Sequence, residues 1–400
     1  MLGSRMAVAG PLAPHVDGFV AELERRGYTA SPVKKHVYLV VRLSWWLDEQ
    51  GLGVGAVGGP VVEPFFVARR AEGVANLRTR ASLKPLIAYL ERVGVLVMAE
   101  PAPSSEAERL ISAFRTYLAR ERGLVDGTVR FYTYVAGLLI DEHATADGLV
   151  LSDLVAADVT GFTTRVCEGR GLSSCRQVVS ALRAFLRFLV LEGVTVLALE
   201  DAVLAVAGWD PQLPRAIGAE DVARLLAACD RDRAIGRRDY AILLLLSRLG
   251  LRGGEVVAME LGDIDWRTGE VTVRGKGRRR DRLPVPADVG EALVAYLIGS
   301  RPVSDSRRLF LRSVAPFNGF AGTGALRGVL ERACVRAGVG YASPHRLRHT
   351  TATELLRSGA ALVEIGQVLR HHSSATTAVY AKVDLERLRH LARPWPRVAA

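Results

Sequence analysis

The segment from Ser343 to Lys382 constrains this 400-residue chain more than any other part of its sequence. Pro344 suits the first turn of a helix, because the N–H that proline lacks has no partner there anyway. His345 and Arg348 are then three residues apart and project from one face of that helix. Tyr380 stands nine residues after His371, which leaves enough chain for a turn and a further helix. The segment thus predicts a set of chemically active groups carried by helices.

This pattern resembles the C-terminal signature of the tyrosine recombinases, the phage-integrase family. That signature is His-x-x-Arg, then Leu-Gly-His, then a tyrosine nine residues later, and its counterparts here are His345, Arg348, His371 and Tyr380. One departure is visible, since Arg370 stands where the family usually has glycine, and it leaves the local backbone geometry open. Taken singly, each residue could be a helix-face polar group or a core tyrosine, but the whole set favours the resemblance.

A second match precedes the signature. The apolar run Ala241–Leu246 predicts a buried helix that leads into Gly-Leu-Arg252, and Glu255 follows three positions later. This order matches the first arginine motif of the same family. The run is also far shorter than the roughly 20 residues that cross a bilayer, so no membrane partner is expected.

Residues 270–286 alternate as strand, turn and strand, and Gly275 and Gly277 enclose Lys276 at the tip. In the family a hairpin lysine at this place is catalytic, whereas an ordinary exposed turn lysine is the alternative. Arg278, Arg279 and Arg280 follow directly and are candidates for DNA contact.

The resemblance implies a role for each matched residue. Arg252 and Arg348 would stabilise the charge of a pentavalent phosphoryl transition state, with Glu255 in support. Arginine suits this work because it keeps its charge and its fork matches two oxygens. Tyr380 would be the nucleophile, His345 its base or proton shuttle, and Lys276 the acid for the leaving 5′-oxygen. His371 would hydrogen-bond a non-bridging oxygen.

The charge of the chain points the same way. The formal net charge is +11 at pH 7, with an isoelectric point near 9.8, which favours a polyanionic partner and first of all double-stranded DNA. Arg176, Arg183 and Arg187 are spaced by seven and four residues and form a basic stripe opposite an apolar helix face. Such a stripe can neutralise phosphates. A merely solvated helix face is the alternative.

The fold predicted is mainly α, with two small helical DNA-clamp-type domains followed by a mixed α+β catalytic domain of the tyrosine recombinase type. A disordered tail is expected over residues 1–14. Similar residue patterns then recur about 96 to 99 positions apart, and they predict an N-terminal helical domain over 15–98 and a core-binding helical domain over 105–200. The catalytic domain is expected over 215–395. The first helical domain could be an extra DNA clamp or a protein-contact module.

No metal or other cofactor is expected. The candidate ligands are His345, His349, His371 and His372, but no His-Glu-x-x-His sequence occurs and no carboxylate stands beside them. The four cysteines form no Cys-x-x-Cys pair, and neither a zinc site nor a disulfide framework is indicated. A reducing cytoplasm, with the protein associated with the nucleoid, is the expected location.

The function predicted is site-specific DNA recombination for the integration, excision or transposition of a mobile element, through a 3′-phosphotyrosyl intermediate. The resemblance implies a homo-oligomer on DNA, a tetramer in the synapse, with accessory or sister recombinases as further partners. A DNA-binding regulator that keeps the fold without cutting, and a type IB topoisomerase-like enzyme, are the alternatives. Leu385, Leu388 and Leu391 form a short apolar stripe that is expected to dock on a neighbouring protomer.

Overall fold

A computed structural model describes residues 8–97, 105–145, 148–208, 216–275, 279–371 and residue 377. The described residues fall into two compact units. One unit combines residues 1–98 with residues 212–400, and the other comprises residues 99–211. Lys276, Arg278, His372, Tyr380 and the predicted leucine stripe lie outside the described residues.

Four helices form the N-terminal part of the first unit: α1 (Val16–Arg25), α2 (Ala30–Glu49), α3 (Glu63–Ala71) and α4 (Lys84–Arg92). Their apolar faces enclose one core that includes Phe19, Leu43 and Phe66. The predicted disordered tail is too long at its C-terminal side. Leu12 is fully buried in this core, and its backbone N–H donates to Ser44 Oγ at 3.0 Å. A buried leucine with a satisfied amide fixes the chain before α1.

The second unit contains four helices: α5 (Glu106–Thr116, continued by a π-helical turn at Tyr117–Glu121), α6 (Asp126–His143), α7 (Ala156–Cys167) and α8 (Leu172–Leu191). Strands β1 (Ala144–Thr145) and β2 (Gly148–Leu149) form a small antiparallel pair between α6 and α7. Gly27 follows α1 and Gly123 follows the π-helical turn, with φ of 83° and 59°. That the two sets of four helices are copies of one domain stays a prediction. That each copy is an independent domain stays a prediction.

The C-terminal part of the first unit contains a larger set of elements. Its helices are α9 (Ala219–Ala227), α10 (Ala234–Arg248), α11 (Gly253–Ala258), α12 (Ala287–Gly299), α13 (Thr323–Ala337), α14 (Pro344–Arg357) and α15 (Leu362–Val368). Its strands are β3 (Ile264–Asp265), β4 (Glu270–Arg274) and β5 (Arg280–Pro284), which form one antiparallel sheet in that order. The predicted mainly helical architecture and the predicted hairpin are confirmed.

Helix α10 is the centre of this part, because all residues of the predicted apolar run from Ala241 to Leu246 are buried. Helix α14 packs on α10, and Thr351 Oγ1 donates to the Ser247 carbonyl at 2.8 Å. Pro344 opens α14 as predicted, and the preceding Ser343 side chain accepts from the Arg346 N–H at 3.2 Å. The Thr351 hydrogen bond fixes α14 against the end of α10, where the arginine motif begins.

In the part of the chain that the structure describes, no helix combines the length and hydrophobicity that crossing a bilayer requires.

Candidate active site

The turn after α10 delivers the first arginine. Gly250 has φ of +55°, a left-handed conformation that favours glycine. A Cβ at Gly250 would also lie 2.7 Å from Leu369 Cδ2, so a side chain there would require Leu369 to move. Two residues later Arg252 precedes the first residue of α11, and its backbone N–H donates to Glu255 Oε2 at 2.8 Å. The Gly-Leu-Arg sequence thus brings Arg252 against the end of α15.

Arg348 lies under the same turn and is only 2% exposed. Its Nη1 donates to the Gly250 carbonyl at 2.5 Å, and its Nη2 donates to the Leu369 carbonyl. The buried arginine therefore joins α14 to the segments that carry Arg252 and His371.

Glu255 accepts from two arginines at once. Its Oε1 accepts from Arg252 Nη1 at 2.8 Å, and its Oε2 accepts from Arg370 Nη2 at 2.7 Å. The side chains of Glu255 and Arg370 are 5% and 6% exposed, whereas that of Arg252 is 40% exposed. The carboxylate is thus buried behind Arg252, and the Arg252 guanidinium remains accessible to a ligand.

The conformation of Arg370 shows whether arginine in place of the usual glycine changes the local backbone geometry. It adopts φ of +55°, the conformation that a glycine would take easily. Its N–H donates to the Gln367 carbonyl at 3.0 Å, and the His371 N–H donates to the Gly366 carbonyl at 2.9 Å. This pair of bonds is the Schellman ending of a helix. The backbone geometry is therefore kept despite the arginine.

Three histidines line the same region, and each has a pKa below its ordinary value. Burial is the main cause of the lowered pKa of His345, and the positive charges of Arg348 and Arg252 add to it, although the residue stays accessible to solvent. Burial, followed by His345 and Arg348, lowers the pKa of His349 to about 4. Burial and then Arg348 and Arg252 lower the pKa of His371 to about 4. All three rings are therefore neutral at pH 7 in the DNA-free protein.

The His371 ring is oriented by a hydroxyl. Its Nδ1 lies 2.7 Å from Thr377 Oγ1, a hydrogen bond whose direction depends on the tautomer. If the hydroxyl donates to Nδ1, the single proton of the neutral ring lies on Nε2. The ring can then donate to an oxygen without carrying a charge. We call the region that contains Arg252, Glu255, Arg348, Arg370 and these histidines the cleft.

Of the hairpin arginines predicted to contact DNA, the structure describes Arg279 and Arg280, and both are exposed. Arg274 lies opposite Arg280 in the sheet register and is held by Asp263, with 2.8 Å between Arg274 Nη2 and Asp263 Oδ1. This ion pair ties the base of the hairpin to the turn before β3. Among the residues that the structure describes, no three His, Cys, Asp or Glu side chains are grouped as metal ligands.

The arginine stripe on α8 is engaged with the segment that follows the helix. Arg176 Nη2 donates to the Gly208 carbonyl, and Arg183 donates to the carbonyls of Glu200 at 3.3 Å and Val203 at 3.0 Å. Arg187 Nε lies 3.6 Å from Glu200 Oε1 and its side chain is 50% exposed. The stripe is thus neither a free basic face nor a purely solvated one, because it also anchors the chain after α8.

The sequence did not indicate three features of this site. Arg370 departs from the signature, and its partner Glu255 lies 115 residues away in sequence. The His349 ring packs edge-on against His345, with 4.7 Å between ring centroids. Thr377 was not assigned a role. Only the four-residue spacing of His345 and His349 was a signal available in advance, because it places both on one helix face.

Fold and cleft together indicate a protein that acts on a polyanion. A helical core brings two arginines and three neutral histidines together at the ends of α10, α14 and α15, a set of groups suited to a polyanion whose negative charge increases during reaction.

The family model for the phage integrase family matches residues 215–387. A Sinorhizobium fredii protein named as an integrase/recombinase, y4rA, is 39% identical over 393 residues, covering 97% of this chain and 95% of that protein. The tyrosine recombinase XerC of Oceanobacillus iheyensis is 31% identical over 294 residues, covering 71% of this chain and 95% of XerC. The chain therefore belongs to the phage integrase family of tyrosine recombinases.

The solved structures agree in fold. A crystal structure of the XerH site-specific recombinase bound to its difH substrate matches with a TM-score of 0.53 and 18% identity, covering 84% of this chain and 95% of XerH. At this identity the likeness concerns the fold alone.

Proposed function

We propose that this protein is a site-specific DNA recombinase that cleaves and rejoins double-stranded DNA through a 3′-phosphotyrosyl intermediate. The observation that carries the proposal is the convergence of Arg252, Arg348, His345 and His371 at the ends of α10, α14 and α15. Full-length similarity to a protein named as an integrase/recombinase supports it.

In the proposed reaction the oxygen of Tyr380 attacks the scissile phosphorus while the bond from phosphorus to the 5′-oxygen breaks. Arg252 and Arg348 bind the non-bridging oxygens, whose negative charge increases in the transition state. Because both guanidinium groups are already fixed by carbonyls or a carboxylate, little reorganisation is needed when the charge develops. The phosphotyrosyl bond conserves the energy of the broken phosphodiester, and reversal of the step reseals the strand.

The protons move between side chains in this scheme. His345, neutral at pH 7 because its pKa is lowered, accepts the proton of Tyr380 as general base. Lys276 gives a proton to the departing 5′-oxygen. His371 donates from Nε2 to a non-bridging oxygen, with Thr377 holding Nδ1. Glu255 supports Arg252.

DNA contacts outside the cleft are proposed for two sets of arginines. Arg278, Arg279 and Arg280 belong to the hairpin that would carry Lys276. Arg176, Arg183 and Arg187 belong to α8, where exposed guanidinium groups would neutralise phosphates. The substrate in the XerH structure is difH, and a defined duplex site is proposed here as well.

The assembly proposed is a tetramer that brings two DNA sites together and exchanges the strands in two steps. The element served is proposed to be mobile, with accessory or sister recombinases taking part. The leucine stripe formed by Leu385, Leu388 and Leu391 would dock on the neighbouring protomer and place Tyr380 only after assembly.

A covalent adduct tests the chemistry. Full-length protein is incubated with a nicked duplex carrying its own recombination site, and denaturing electrophoresis separates the protein–DNA adduct. Wild type should form the adduct, Tyr380→Phe should bind DNA normally and form none, and the control variant Tyr341→Phe should behave as wild type. An adduct that persists in Tyr380→Phe would place the nucleophile elsewhere. Binding by wild type without any adduct would favour a regulator, and relaxation of plasmids lacking a defined site would favour a topoisomerase.

The same assay with EDTA tests the role given to the arginines. Because the arginine pair would supply the positive charge that divalent cations supply elsewhere, the adduct yield should be unchanged by chelation. Loss of the adduct in EDTA, with recovery on adding one metal ion, would overturn this part of the proposal.

A further inference from the structure

Arg370 occupies a backbone position that disfavours its own side chain. With φ of +55° it lies in the left-handed region, where a residue with a Cβ costs roughly 1 kcal/mol or more relative to glycine. The position caps α15 by backbone hydrogen bonds alone, so glycine would serve the cap equally well. The side chain must therefore make an interaction that offsets the strain.

That interaction is with the acidic partner of Arg252. Arg370 Nη2 donates to Glu255 Oε2 at 2.7 Å, and both side chains are more than nine-tenths buried. Arg370 Nη1 donates to the Val368 carbonyl at 3.1 Å, which fixes the guanidinium on its own turn. The other carboxylate oxygen, Oε1, binds Arg252 Nη1 at 2.8 Å. Arg370 and Arg252 thus share one buried carboxylate.

Arg370 also reaches Arg252 through its backbone. The Arg370 carbonyl accepts from Arg252 Nη2 at 3.4 Å, so the two ends of the Arg252 fork are held by Glu255 and by residue 370. The left-handed conformation of residue 370 determines where that carbonyl points. A change in the orientation of residue 370 would therefore affect Arg252 both through Glu255 and through the Arg370 carbonyl.

The charges of these three side chains show the effect of sharing the Glu255 carboxylate between Arg252 and Arg370. Glu255 alone would neutralise Arg252 one to one, whereas two arginines on one carboxylate leave a net charge of +1 in the group. In a buried setting a carboxylate that loses one partner binds the remaining one more strongly, because water screens it little. Arg370 therefore weakens the hold of Glu255 on Arg252 and keeps positive charge available at the exposed end of Arg252.

We infer that Arg370 is a positioning residue for cleavage, which orients Arg252 through Glu255 and through its own carbonyl and prevents Glu255 from cancelling the Arg252 charge. The inference rests on the proposed function, in which Arg252 binds the scissile phosphate. It differs from a purely structural role, in which Arg370 would only hold the end of α15.

The test measures single-turnover cleavage of a nicked duplex at saturating DNA, together with the dissociation constant and the thermal midpoint. Arg370→Gly and Arg370→Asn both tolerate the left-handed backbone and both lose the guanidinium, so they should behave alike. Cleavage should fall by up to about 100-fold, the size expected when a catalytic group is slightly misplaced. DNA affinity should change less than about twofold and the fold should be retained. Arg370→Lys should recover part of the rate.

The decisive measurement is whether the effect of Arg370→Gly on cleavage depends on Glu255. In the Glu255→Gln background the carboxylate charge is gone, so adding Arg370→Gly should cost far less than it does alone. On a substrate whose scissile group is a neutral methylphosphonate, the Arg370→Gly penalty should also shrink, because there is less charge for Arg252 to neutralise. A role confined to α15 stability would move the thermal midpoint. The fold-loss of cleavage caused by Arg370→Gly would then be the same in the Glu255→Gln background and on the methylphosphonate substrate as in the wild-type background on the phosphate substrate.

Two outcomes would overturn the inference: wild-type cleavage by Arg370→Gly, or losses from Arg370→Gly and Glu255→Gln that simply multiply. Failure of the proposed function is distinguishable, because wild type itself would then form no adduct and Tyr380→Phe would match it.

Discussion

Two regions of this protein each combine three arginines with one glutamate, and the two regions use these charges differently. The cleft contains Arg252, Arg348, Arg370 and Glu255, and the α8 stripe contains Arg176, Arg183, Arg187 and Glu200. Three positive charges and one negative charge leave +2 in each. In the cleft of the DNA-free protein Arg348, Arg370 and Glu255 are buried, whereas the Arg252 side chain is 40% exposed. On α8 the Arg187 side chain is half exposed.

The difference concerns what a fixed charge can do. A buried guanidinium with its hydrogen bonds already made is oriented before any substrate arrives, so it can stabilise charge that appears only in a transition state. An exposed guanidinium is screened by salt and contributes mainly to binding. The comparison predicts that substitutions in the cleft act on the rate of cleavage and substitutions on α8 act on stability or affinity.

The largest effect is expected for Arg348→Met. The variant removes a proposed transition-state contact and leaves the Gly250 and Leu369 carbonyls without their donor. Single-turnover cleavage at saturating DNA should fall by about 10³-fold, the cost of one lost transition-state donor, and stability should fall by about 1–3 kcal/mol. Arg346→Met, two residues away on α14, is the control and should keep the rate within a few fold. Equal losses in the two variants would remove the distinction between the cleft and an ordinary helix face.

How much of this cleft the sequence predicted follows from how local each feature is. The start of α14 at Pro344 and the β4–β5 hairpin with Gly275 at its turn depend on neighbouring residues, and both are confirmed. The sharing of Glu255 by Arg252 and Arg370 joins positions 115 residues apart, which no local pattern encodes. The same holds for the Arg183 contacts to Glu200 and Val203, where the segment after α8 turns back on the helix. Periodicity indicated the faces of these helices, but their partners depend on tertiary packing.

A smaller effect, on stability alone, is expected for Arg183→Met. Arg183 is half buried and donates to two backbone carbonyls of the returning segment, so its loss should lower the free energy of unfolding by about 1–3 kcal/mol. Cleavage at saturating DNA should stay unchanged because the chemical groups are untouched. Urea unfolding and single-turnover kinetics check the two parts, with Arg187→Met expected to stay within about 0.5 kcal/mol. A cleavage defect in Arg183→Met at saturating DNA would show that α8 also affects the chemistry.

The cleft should also respond to pH, since it contains histidines and α8 contains none. The folded pKa values of His349 and His371, about 4, lie below the ordinary unfolded value near 6.5. Their contribution to stability is therefore complete above about pH 6.5 and is lost as pH falls towards 4. Between pH 7.5 and 5.5 the DNA-free protein should lose on the order of 1 kcal/mol through this pair, after a discount for partial exposure.

Urea unfolding at the two pH values checks this expectation. His349→Asn and His371→Asn should each reduce the pH-dependent loss, and the double variant should nearly remove it. A loss that is the same in the double variant and in wild type would show that other groups cause the pH dependence.

The smallest effect is expected for Arg187→Gln, which distinguishes a DNA-contacting stripe from a solvated one. Arg187 is half exposed and lies 3.6 Å from Glu200 Oε1, so removing its charge should cost little stability. If the guanidinium meets a phosphate, affinity should fall a few fold, and the slope of log K against log salt should decrease by about 0.9. Glu200→Gln is the matched control because it removes the competing carboxylate and leaves the carbonyl that Arg183 uses. Affinity should then rise rather than fall, since Arg187 no longer shares its charge. Unchanged affinity and salt slope in both variants would assign Arg187 to the solvated surface, with phosphate binding left to other residues.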